Sequence, residues 1–234
     1  MPVFRLSDDI EFPPAQFARD DGLLAVGGDL SEERILLAYR MGIFPWFSED
    51  APFLWWSPDP RLVLFPNEIN ISRSLKKLIR KNKFEVTLDT AFREVITSCA
   101  EIRLDNGDET WICNEMVDAY CRLHASGYAH SVEAWHNGRL VGGLYGVSLG
   151  RCFFGESMFA YEPNASKVAF AKLVTYLAEQ DYDLIDCQVT TDHLLRFGAR
   201  EISKAEFLML LENSLKKPTR KGEWDFSDTI NHSY

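Results

Sequence analysis

Two short apolar segments, separated by a stretch long enough for a helix, constrain the fold of this chain more than any other feature. The segments are residues 155–159 and 184–189, and the stretch between them is residues 164–180. A strand, a crossover helix and a neighbouring parallel strand would bring Glu156, Asp186 and Gln188 towards one another. Burying one neutral polar group without a partner costs roughly 2–7 kcal/mol, so this arrangement predicts a functional site. The alternative is that these side chains only bond neighbouring backbone.

The composition is typical of an ordinary soluble globular protein. The chain has 234 residues, 46% of them hydrophobic, and no apolar run reaches the roughly 18–20 residues that a membrane span needs. Its first residues lack the basic-then-apolar order of a secretory signal. The five cysteines form no Cys-x-x-Cys pair and the five histidines show no ligand spacing. We therefore expect reduced thiols, no metal and a cytoplasmic location.

One basic stretch differs from the rest of a chain whose formal net charge is -10. Between residues 72 and 83 there is no acid, and the cations are Arg73, Lys76, Lys77, Arg80, Lys81 and Lys83. Helical periodicity places all but the last on one face, with Leu75, Leu78 and Ile79 pointing elsewhere. Such a face either contacts a phosphate backbone, which a local patch attracts whatever the net charge, or only keeps a surface helix soluble.

Residues 1–62 predict a small N-terminal domain rich in turns. Ser31 is a typical N-cap for a helix that runs to Gly42. Several large aromatic residues, including Trp46 and Trp55, follow in loop-like sequence. Such a cluster forms a hydrophobic plug where a small domain docks on a larger one, which composition favours, or a stacking surface for a base.

Residues 63–234 predict a mixed α/β domain. In order, the predicted elements are a strand at 84–88, a helix capped by Asp89 and ending near Cys99, a helix from Asn114, three antiparallel strands with turns at Asn137-Gly138 and Leu149-Gly150, a helix at 164–180, a strand at 184–189, a short helix, a strand near 199–202 and a final helix opened by Ser203 and Glu206. The polar tail from Pro218 is expected to fray.

This order of elements resembles that of the GNAT superfamily of N-acyltransferases, which implies a V-shaped split in the sheet. Coenzyme-A users of that fold carry a glycine-rich phosphate cradle between the fourth strand and its following helix. In this chain that junction, residues 158–166, contains no glycine and does contain Glu162. The sequence therefore predicts a GNAT-like fold with an acyl donor other than coenzyme A.

Six segments carry a more specific likeness. They are residues 22–30 (GLLAVGGDL), 42–47 (GIFPWF), 55–61 (WWSPDPR), 155–159 (GESMF), 164–167 (NASK) and 185–188 (IDCQ). From about residue 6 to residue 211, with little shift in spacing, the chain resembles the bacterial leucyl/phenylalanyl-tRNA–protein transferases. The resemblance implies transfer of leucine or phenylalanine, and less readily methionine, from aminoacyl-tRNA to proteins that begin with arginine or lysine. That transfer marks the acceptor for degradation by the N-end rule.

The resemblance also implies the partners and the binding residues. Aminoacyl-tRNA is an activated ester, so no cofactor is expected, and we expect a monomer. Trp46 and Trp111 would flank the donor's terminal adenosine. The donor's apolar side chain would lie among Leu144, Phe153, Met158, Phe170, Leu177 and Ile185. Many members have methionine at the position of Leu144, and leucine would reshape the pocket slightly. The basic helix would hold the acceptor stem by its phosphates.

The implied catalytic residues are Asp186, Gln188 and Glu156. The family's proposed relay passes from Asp186 through Gln188 to the acceptor amine. A glutamine amide is barely basic, so we expect Gln188 to position the amine or the developing oxyanion. Asp186 would orient Gln188, and Glu156 would position the donor or the acceptor amine. The two carboxylates would also supply the negative charge that the cationic end of the acceptor needs. Strand alternation places Cys187 on the opposite face, which argues against a thiol nucleophile.

One departure from the family pattern and two alternative functions remain open on the sequence alone. The family frequently has asparagine where this chain has Thr191, so any role of that side chain is in doubt. A GNAT-type transferase that uses a coenzyme-A thioester on a small amine is the main alternative. A non-catalytic adaptor that holds an N-terminal arginine or a tRNA is the other.

Overall fold

The computed structural model describes residues 2–48, 51–105 and 112–228. In its N-terminal part the described residues form a four-stranded sheet in the order β1-β2-β4-β3, with one helix. These elements are β1 (Phe4–Leu6), β2 (Leu23–Gly27), α1 (Glu32–Arg40), β3 (Phe44–Pro45) and β4 (Leu54–Trp56). The predicted cap of α1 is confirmed, because the Ser31 hydroxyl accepts a hydrogen bond from the Arg34 amide at 3.4 Å.

The aromatic cluster of this part has both of the features that its sequence suggested. Trp55 is fully buried, packs edge-on against Phe12 with ring centroids 4.8 Å apart, and belongs to a core that continues into the larger sheet. Trp46 is 44% exposed and lies against Trp56 with ring centroids 5.7 Å apart. The plug is therefore formed by Trp55, while Trp46 presents an open aromatic surface.

The remaining described residues form a seven-stranded sheet in the order β11-β5-β10-β9-β8-β7-β6. Its strands are β5 (Arg61–Leu64), β6 (Glu85–Leu88), β7 (Ala129–His136), β8 (Arg139–Leu149), β9 (Cys152–Ala160), β10 (Leu184–Gln188) and β11 (Arg200–Ile202). The helices of this part are α2 (Arg73–Arg80), α3 (Phe92–Asp105), α4 (Asn114–Ala125), α5 (Ala165–Glu179), α6 (Asp192–Arg196) and α7 (Lys204–Leu215). The predicted mixed α/β order of elements is confirmed.

The parallel pair β9 and β10, joined by α5, is the feature from which the sequence interpretation began. The two strands pair only from Cys152 opposite Leu184 to Phe154 opposite Asp186. Beyond that point β9 continues to Ala160 beside β8, while β10 ends at Gln188. The sheet therefore opens between the two strands, as the GNAT-like arrangement implies.

Two β-bulges lie at this opening. On β9, Tyr145 faces Ser157 and Gly146 faces Gly155, so Glu156 is the extra residue. On β10, the register against β5 shifts between Asp186 and Gln188, and Gln188 has a φ of 62°. A bulge bends its strand and re-aims the side chains next to it. The side chains of Glu156 and Gln188 therefore do not follow the simple alternation of a regular strand.

Asp89 does not cap α3, contrary to the sequence prediction. The helix begins at Phe92 and runs to Asp105, well beyond Cys99. Asp89 instead has a φ of 58°, and its carboxylate accepts hydrogen bonds from the backbone amides of Ser131 at 2.9 Å and Trp224 at 2.8 Å. Its acceptors are therefore used to tie distant segments together.

Strand β5 was not predicted, although it is buried along its whole length between β10 and β11. Its residues, Arg61–Leu64, straddle the predicted boundary at residue 62. The division into domains of residues 1–62 and 63–234 stays a prediction.

The prediction that the chain frays from Pro218 is wrong for the residues up to Asp228. Trp224 is 2% exposed and stacks on His130 with ring centroids 3.7 Å apart. One large aromatic side chain buries enough apolar surface to hold a polar segment against the sheet. In the described ranges, no helix is long and apolar enough to cross a membrane.

Candidate active site

An apolar cavity of about 510 Å³ lies where β9 and β10 diverge. The residues that line it include most of the predicted donor pocket, namely Leu144, Phe153, Met158, Phe170 and Ile185. Leu177 is not among the described lining residues and is fully buried in the core. It follows Phe170 by about 10 Å along α5, at roughly 1.5 Å per residue, whereas the cavity reaches the N-terminal end of that helix at Ser166. The structure therefore removes Leu177 from the predicted pocket.

Gln188 and Glu156 form a direct hydrogen bond in the wall of this cavity. The side-chain Nε2 of Gln188 donates to Oε1 of Glu156 at 2.7 Å. With its amide nitrogen used in this way, Gln188 presents its carbonyl oxygen as the acceptor that remains for a ligand. The two predicted residues are thus brought together across the opening of the sheet.

Two tyrosines that the sequence interpretation had not assigned to the site also bind Glu156. Tyr39 of α1 donates to Oε1 at 2.7 Å, and Tyr120 of α4 donates to Oε2 at 3.1 Å. The two hydroxyls also lie within hydrogen-bond distance of each other. Because Tyr39 belongs to the N-terminal part of the chain, the position of Glu156 depends on how that part packs against the larger sheet.

Burial raises the pKa of Glu156 to about 7, and the charge of Asp186 adds to the rise. The hydrogen bonds from Tyr39, Gln188 and Tyr120 act in the opposite direction, because they stabilise the carboxylate. Burial raises the pKa of Tyr39 and of Tyr120 well above the usual value, and the charge of Glu156 raises both further. The two tyrosines therefore remain protonated donors. Glu156 is therefore a carboxyl group that exchanges its proton near neutral pH.

Asp186 is held outside the cavity by an arginine. It is fully buried, as is Arg61, whose Nε and second guanidinium nitrogen donate to the two carboxylate oxygens at 2.8 and 2.6 Å. Its Oδ1 also accepts the backbone amide of Gln188 at 2.9 Å. Asp186 thus orients the backbone of Gln188, not its side chain, and its carboxylate presents no open face to an acceptor cation. The expectation that it contacts the acceptor's cationic end is corrected accordingly.

Cys187 lines the cavity together with Gln188, so the alternation argument for this residue is wrong. The bulge between Asp186 and Gln188 explains the difference, because a positive φ at Gln188 returns its side chain to the side that Cys187 faces. Burial raises the pKa of the Cys187 thiol, and the charge of Asp186 raises it further. A thiol kept protonated in this way is a poor nucleophile.

The predicted nucleic-acid contacts lie outside this cavity. Trp46 is not among the described residues that line it, and Trp111 lies outside the described residues. The predicted orientation of α2 is confirmed, since Leu75 and Ile79 are buried and the cations of the basic face are exposed. Lys83 differs from them because it forms an ion pair with Glu162 at 2.7 Å. Within the described ranges, no group of three or more His, Cys, Asp or Glu side chains could hold a metal ion.

Comparison with known proteins shows the family of this chain. A family model described as leucyl/phenylalanyl-tRNA protein transferase matches residues 63–212, and the model of its N-terminal domain matches residues 28–59. A curated protein of that name from Syntrophobacter fumaroxidans is 60% identical over 225 residues, or 96% of each chain. A second, from Desulforapulum autotrophicum, is 57% identical over 97% of this chain and 99% of its own length.

The chain belongs to the leucyl/phenylalanyl-tRNA–protein transferase family. It is therefore an aminoacyltransferase, which sets aside the non-catalytic adaptor. The solved structure of L-PGS from Bacillus licheniformis aligns at a TM-score of 0.41 with 9% identity, over 82% of this chain and 73% of that one. That structural likeness is too low to support any argument.

Sequence reasoning missed several residues of this candidate site. Tyr39 lies on the buried face of α1, where the hydroxyl of a tyrosine needs a hydrogen-bond partner, and that need is the signal that could have found it. Arg61 lies in the WWSPDPR segment that carries the resemblance, but its role depends on strand β5, which was not predicted. Arg103, Lys167 and His193 also line the cavity, and no spacing signal links them in the sequence.

Proposed function

We propose that the protein transfers leucine or phenylalanine, and less readily methionine, from aminoacyl-tRNA to the α-amine of proteins that begin with arginine or lysine. The modified proteins then enter N-end rule degradation, and the enzyme works as a monomer in the cytoplasm. The observation that carries the proposal is the hydrogen-bonded pair of Gln188 and Glu156 in the wall of an apolar cavity of about 510 Å³. An apolar pocket with a few convergent polar groups is typical of a small-ligand site.

The apolar lining supports a donor that carries a hydrophobic amino acid. Phe153, Phe170 and Ile185 offer flat and branched surfaces without polar atoms. One methylene more or less in such a pocket changes the transition-state energy by only ~1–3 kcal/mol. The enzyme is therefore expected to accept leucine, phenylalanine and methionine with graded rather than absolute preference.

The chemistry is attack of the acceptor's α-amine on the ester carbonyl of the donor. A C–N bond forms, the C–O bond to the terminal ribose breaks, the amine loses a proton and the ribose oxygen gains one. The free carbonyl oxygen of Gln188 accepts a hydrogen bond from the amine and aims it. Glu156, with a pKa of about 7, takes the proton, because a base works best when its pKa lies near the working pH.

Positioning supplies most of the acceleration, since the ester is already activated. Holding an amine and an ester in register contributes up to ~7–11 kcal/mol where the geometry is good. Asp186 and Arg61 serve this purpose at a distance, because they fix the backbone from which Gln188 extends. They are positioning residues.

A competition among donors tests the proposal most simply. The purified protein is incubated with an arginine-starting peptide and either labelled Phe-tRNA, Leu-tRNA, Met-tRNA or acetyl-CoA. We expect label on the peptide with the three aminoacyl-tRNAs and none with acetyl-CoA. An alanine-starting peptide and an N-acetylated arginine peptide serve as controls, and both should remain unlabelled. Labelling from acetyl-CoA, or of the N-acetylated peptide, would contradict the proposal.

Charge reversal tests the contact between the basic face of α2 and the donor's acceptor stem. Lys76, Lys77, Arg80 and Lys81 are changed together to glutamate. We expect a higher KM for full-length Phe-tRNA. The slope of log KM against log salt concentration should also decrease by about 0.9 for each lost contact with a duplex phosphate. Changing the exposed Arg5 and Arg139 to glutamate, which gives half of that change in net charge at positions outside α2, is the control for a general charge effect. If the first variant keeps the parent KM and salt slope, α2 is only a surface helix.

A further inference from the structure

A second cavity, of about 260 Å³, lies beside the first and has no role in the chemistry described above. It lies between the start of α2, the start of α5 and α6. Asn164, Lys167 and His193 line both cavities. The two therefore meet, and a ligand in the first cavity can continue into the second towards the basic face of α2.

The charge of the second cavity favours an anion. Its described lining contains Lys167 and Arg196 and no carboxylate. Lys167 is half-buried and Arg196 is exposed, and neither forms an ion pair with a described residue. An acceptor with a cationic N-terminal residue would be repelled from this cavity, so the acceptor approaches the first cavity from another side.

His193 supplies a polar group that no other part of the protein uses. Its Nε2 is buried and has no hydrogen-bond partner among the described residues, while the ring packs edge-on against Phe197 with centroids 5.2 Å apart. Burial lowers the pKa of His193, and the charges of Lys167 and Arg196 lower it further, so the ring is neutral at pH 7. A neutral imidazole nitrogen can pair with a hydroxyl, and the 2′-hydroxyl distinguishes RNA from DNA.

We propose that the second cavity binds the ribose-phosphate backbone of the nucleotides that precede the donor's terminal adenosine. Lys167 and Arg196 contact phosphates, and His193 contacts a ribose hydroxyl. The base and the 5′-phosphate leave a ribose in different directions, so this path is compatible with a base held elsewhere at the cavity mouth. The inference rests on the proposed function and adds to it a subsite separate from the acceptor-stem contact of α2.

The test uses three donors that differ in how much backbone they carry. They are phenylalanyl-adenosine, which has no phosphate, the phenylalanylated trinucleotide CCA, and full-length Phe-tRNA. The double variant Lys167→Gln with Arg196→Gln is compared with the parent. We expect the ratio of the KM of the trinucleotide to that of phenylalanyl-adenosine to rise roughly tenfold for two lost charge contacts. For the trinucleotide, the slope of log KM against log salt concentration should decrease by about 1.4, at roughly 0.7 for each lost contact with a single strand.

The double variant Arg5→Gln with Arg139→Gln removes the same charge from exposed positions and should leave the ratio at the parent value. An unchanged ratio in the cavity variant would overturn the subsite while leaving the proposed function intact. If the parent enzyme uses none of the three donors, the proposed function fails and the subsite fails with it.

A second variant tests the hydroxyl contact independently of charge. The parent enzyme should prefer the ribose trinucleotide to one with 2′-deoxyribose in its first two nucleotides, and His193→Phe should abolish that preference. Equal use of the two trinucleotides by the parent, or an unchanged preference in the variant, would overturn the role of His193.

Discussion

Glu156 on β9 and Asp186 on β10 both contact Gln188, yet the two carboxyl groups differ in the charge of their other partners. Glu156 is partly buried in the cavity wall, and its partners are two tyrosines and an amide. Asp186 is fully buried, and its partner is the guanidinium of Arg61, which binds both of its oxygens. Burial, with no cation beside the carboxyl group, raises the pKa of Glu156 to about 7. The bidentate guanidinium of Arg61 instead fixes the position of the Asp186 carboxylate.

One site can therefore contain both a carboxyl group with a pKa of about 7 and a carboxylate whose contacts only hold the backbone in place. Asp186 and Arg61 fix the end of β10, and through its backbone they fix Gln188. Glu156 orients the side chain of the same glutamine and can exchange a proton.

The largest effect is expected from removing the cation that pairs with Asp186. Arg61→Leu leaves a buried carboxylate without its partner, which should lower the free energy of unfolding by about 3–5 kcal/mol. Urea unfolding at pH 7 measures the loss. The double variant Arg61→Leu with Asp186→Leu should recover most of it, because apolar residues can replace a buried ion pair at little cost. A single variant that loses less than about 1 kcal/mol would show that the pair is not needed for stability.

Gln188→Leu should act on the reaction rather than on folding. Loss of the group that aims the amine should reduce the transfer rate by about 10²-fold, the scale of one lost polar contact in a transition state. Single-turnover transfer from bound Phe-tRNA measures it. Cys187→Ala, beside it in the cavity wall, should retain most of the rate because the thiol takes no part. Strong loss in the cysteine variant would instead point to a covalent intermediate.

Tyr39→Phe should shift the titration of Glu156 without removing the carboxyl group. The tyrosine hydrogen bond lowers the pKa of Glu156, so its loss should raise that pKa further. One hydrogen bond of about 1 kcal/mol corresponds to roughly 0.7 pKa units. The acid limb of the pH–rate profile should therefore move to higher pH by the same amount. Tyr145→Phe is the matched control, since the Tyr145 hydroxyl is buried without a hydrogen-bond partner among the described residues. Equal shifts in both variants would contradict the assignment.

The smallest effect is expected in the apolar lining. Leu144→Met should change the relative use of leucine and phenylalanine by less than about tenfold, because a pocket discriminates weakly between apolar side chains. Competition between Leu-tRNA and Phe-tRNA measures the ratio. Leu177→Met, on the buried part of α5 away from the cavity, should leave the ratio unchanged. If only the Leu177 variant shifts the ratio, the pocket has been assigned to the wrong residues.

The sequence predicted the order of elements because periodicity, caps and the Asn137-Gly138 turn are local signals. It also predicted that Glu156 and Gln188 meet, since a crossover helix brings two parallel strands side by side. It failed where non-local pairing decides. The bulge that turns Gln188 towards Cys187 depends on β5, and β5 is a four-residue strand held between two partners. No residue pattern within β10 reveals it.

The same limit explains the failures at Asp89 and in the tail. Asp89 is a residue type that often caps helices, but its carboxylate accepts a hydrogen bond from the backbone amide of Trp224, which lies 135 positions later in the chain. The tail was judged by its polar average, whereas one buried tryptophan determines its position. Burial of a single side chain and a contact across the whole chain are both invisible to a local window.

Glu156 also makes stability depend on pH in a direction that can be checked. Its pKa is raised to about 7 in the folded state, above the usual value of 4.5. The folded state therefore binds this proton more tightly than the unfolded state does. The resulting stabilisation is fully present below pH 4.5 and is lost as the pH rises through about 7. In Glu156→Gln this part of the pH dependence should disappear from urea unfolding curves.

The pH profile of single-turnover transfer, measured in the parent enzyme and in Glu156→Gln, decides whether Glu156 accepts the proton of the acceptor amine. Two groups should lose protons in the parent, Glu156 at about pH 7 and the acceptor's α-amine at about 7.7–8.0. The logarithm of the parent's rate should then rise with a slope near 2 below about pH 6.5, and with a slope near 1 in the variant. The same slope in both proteins would show that the ionisation of Glu156 plays no part in the transfer.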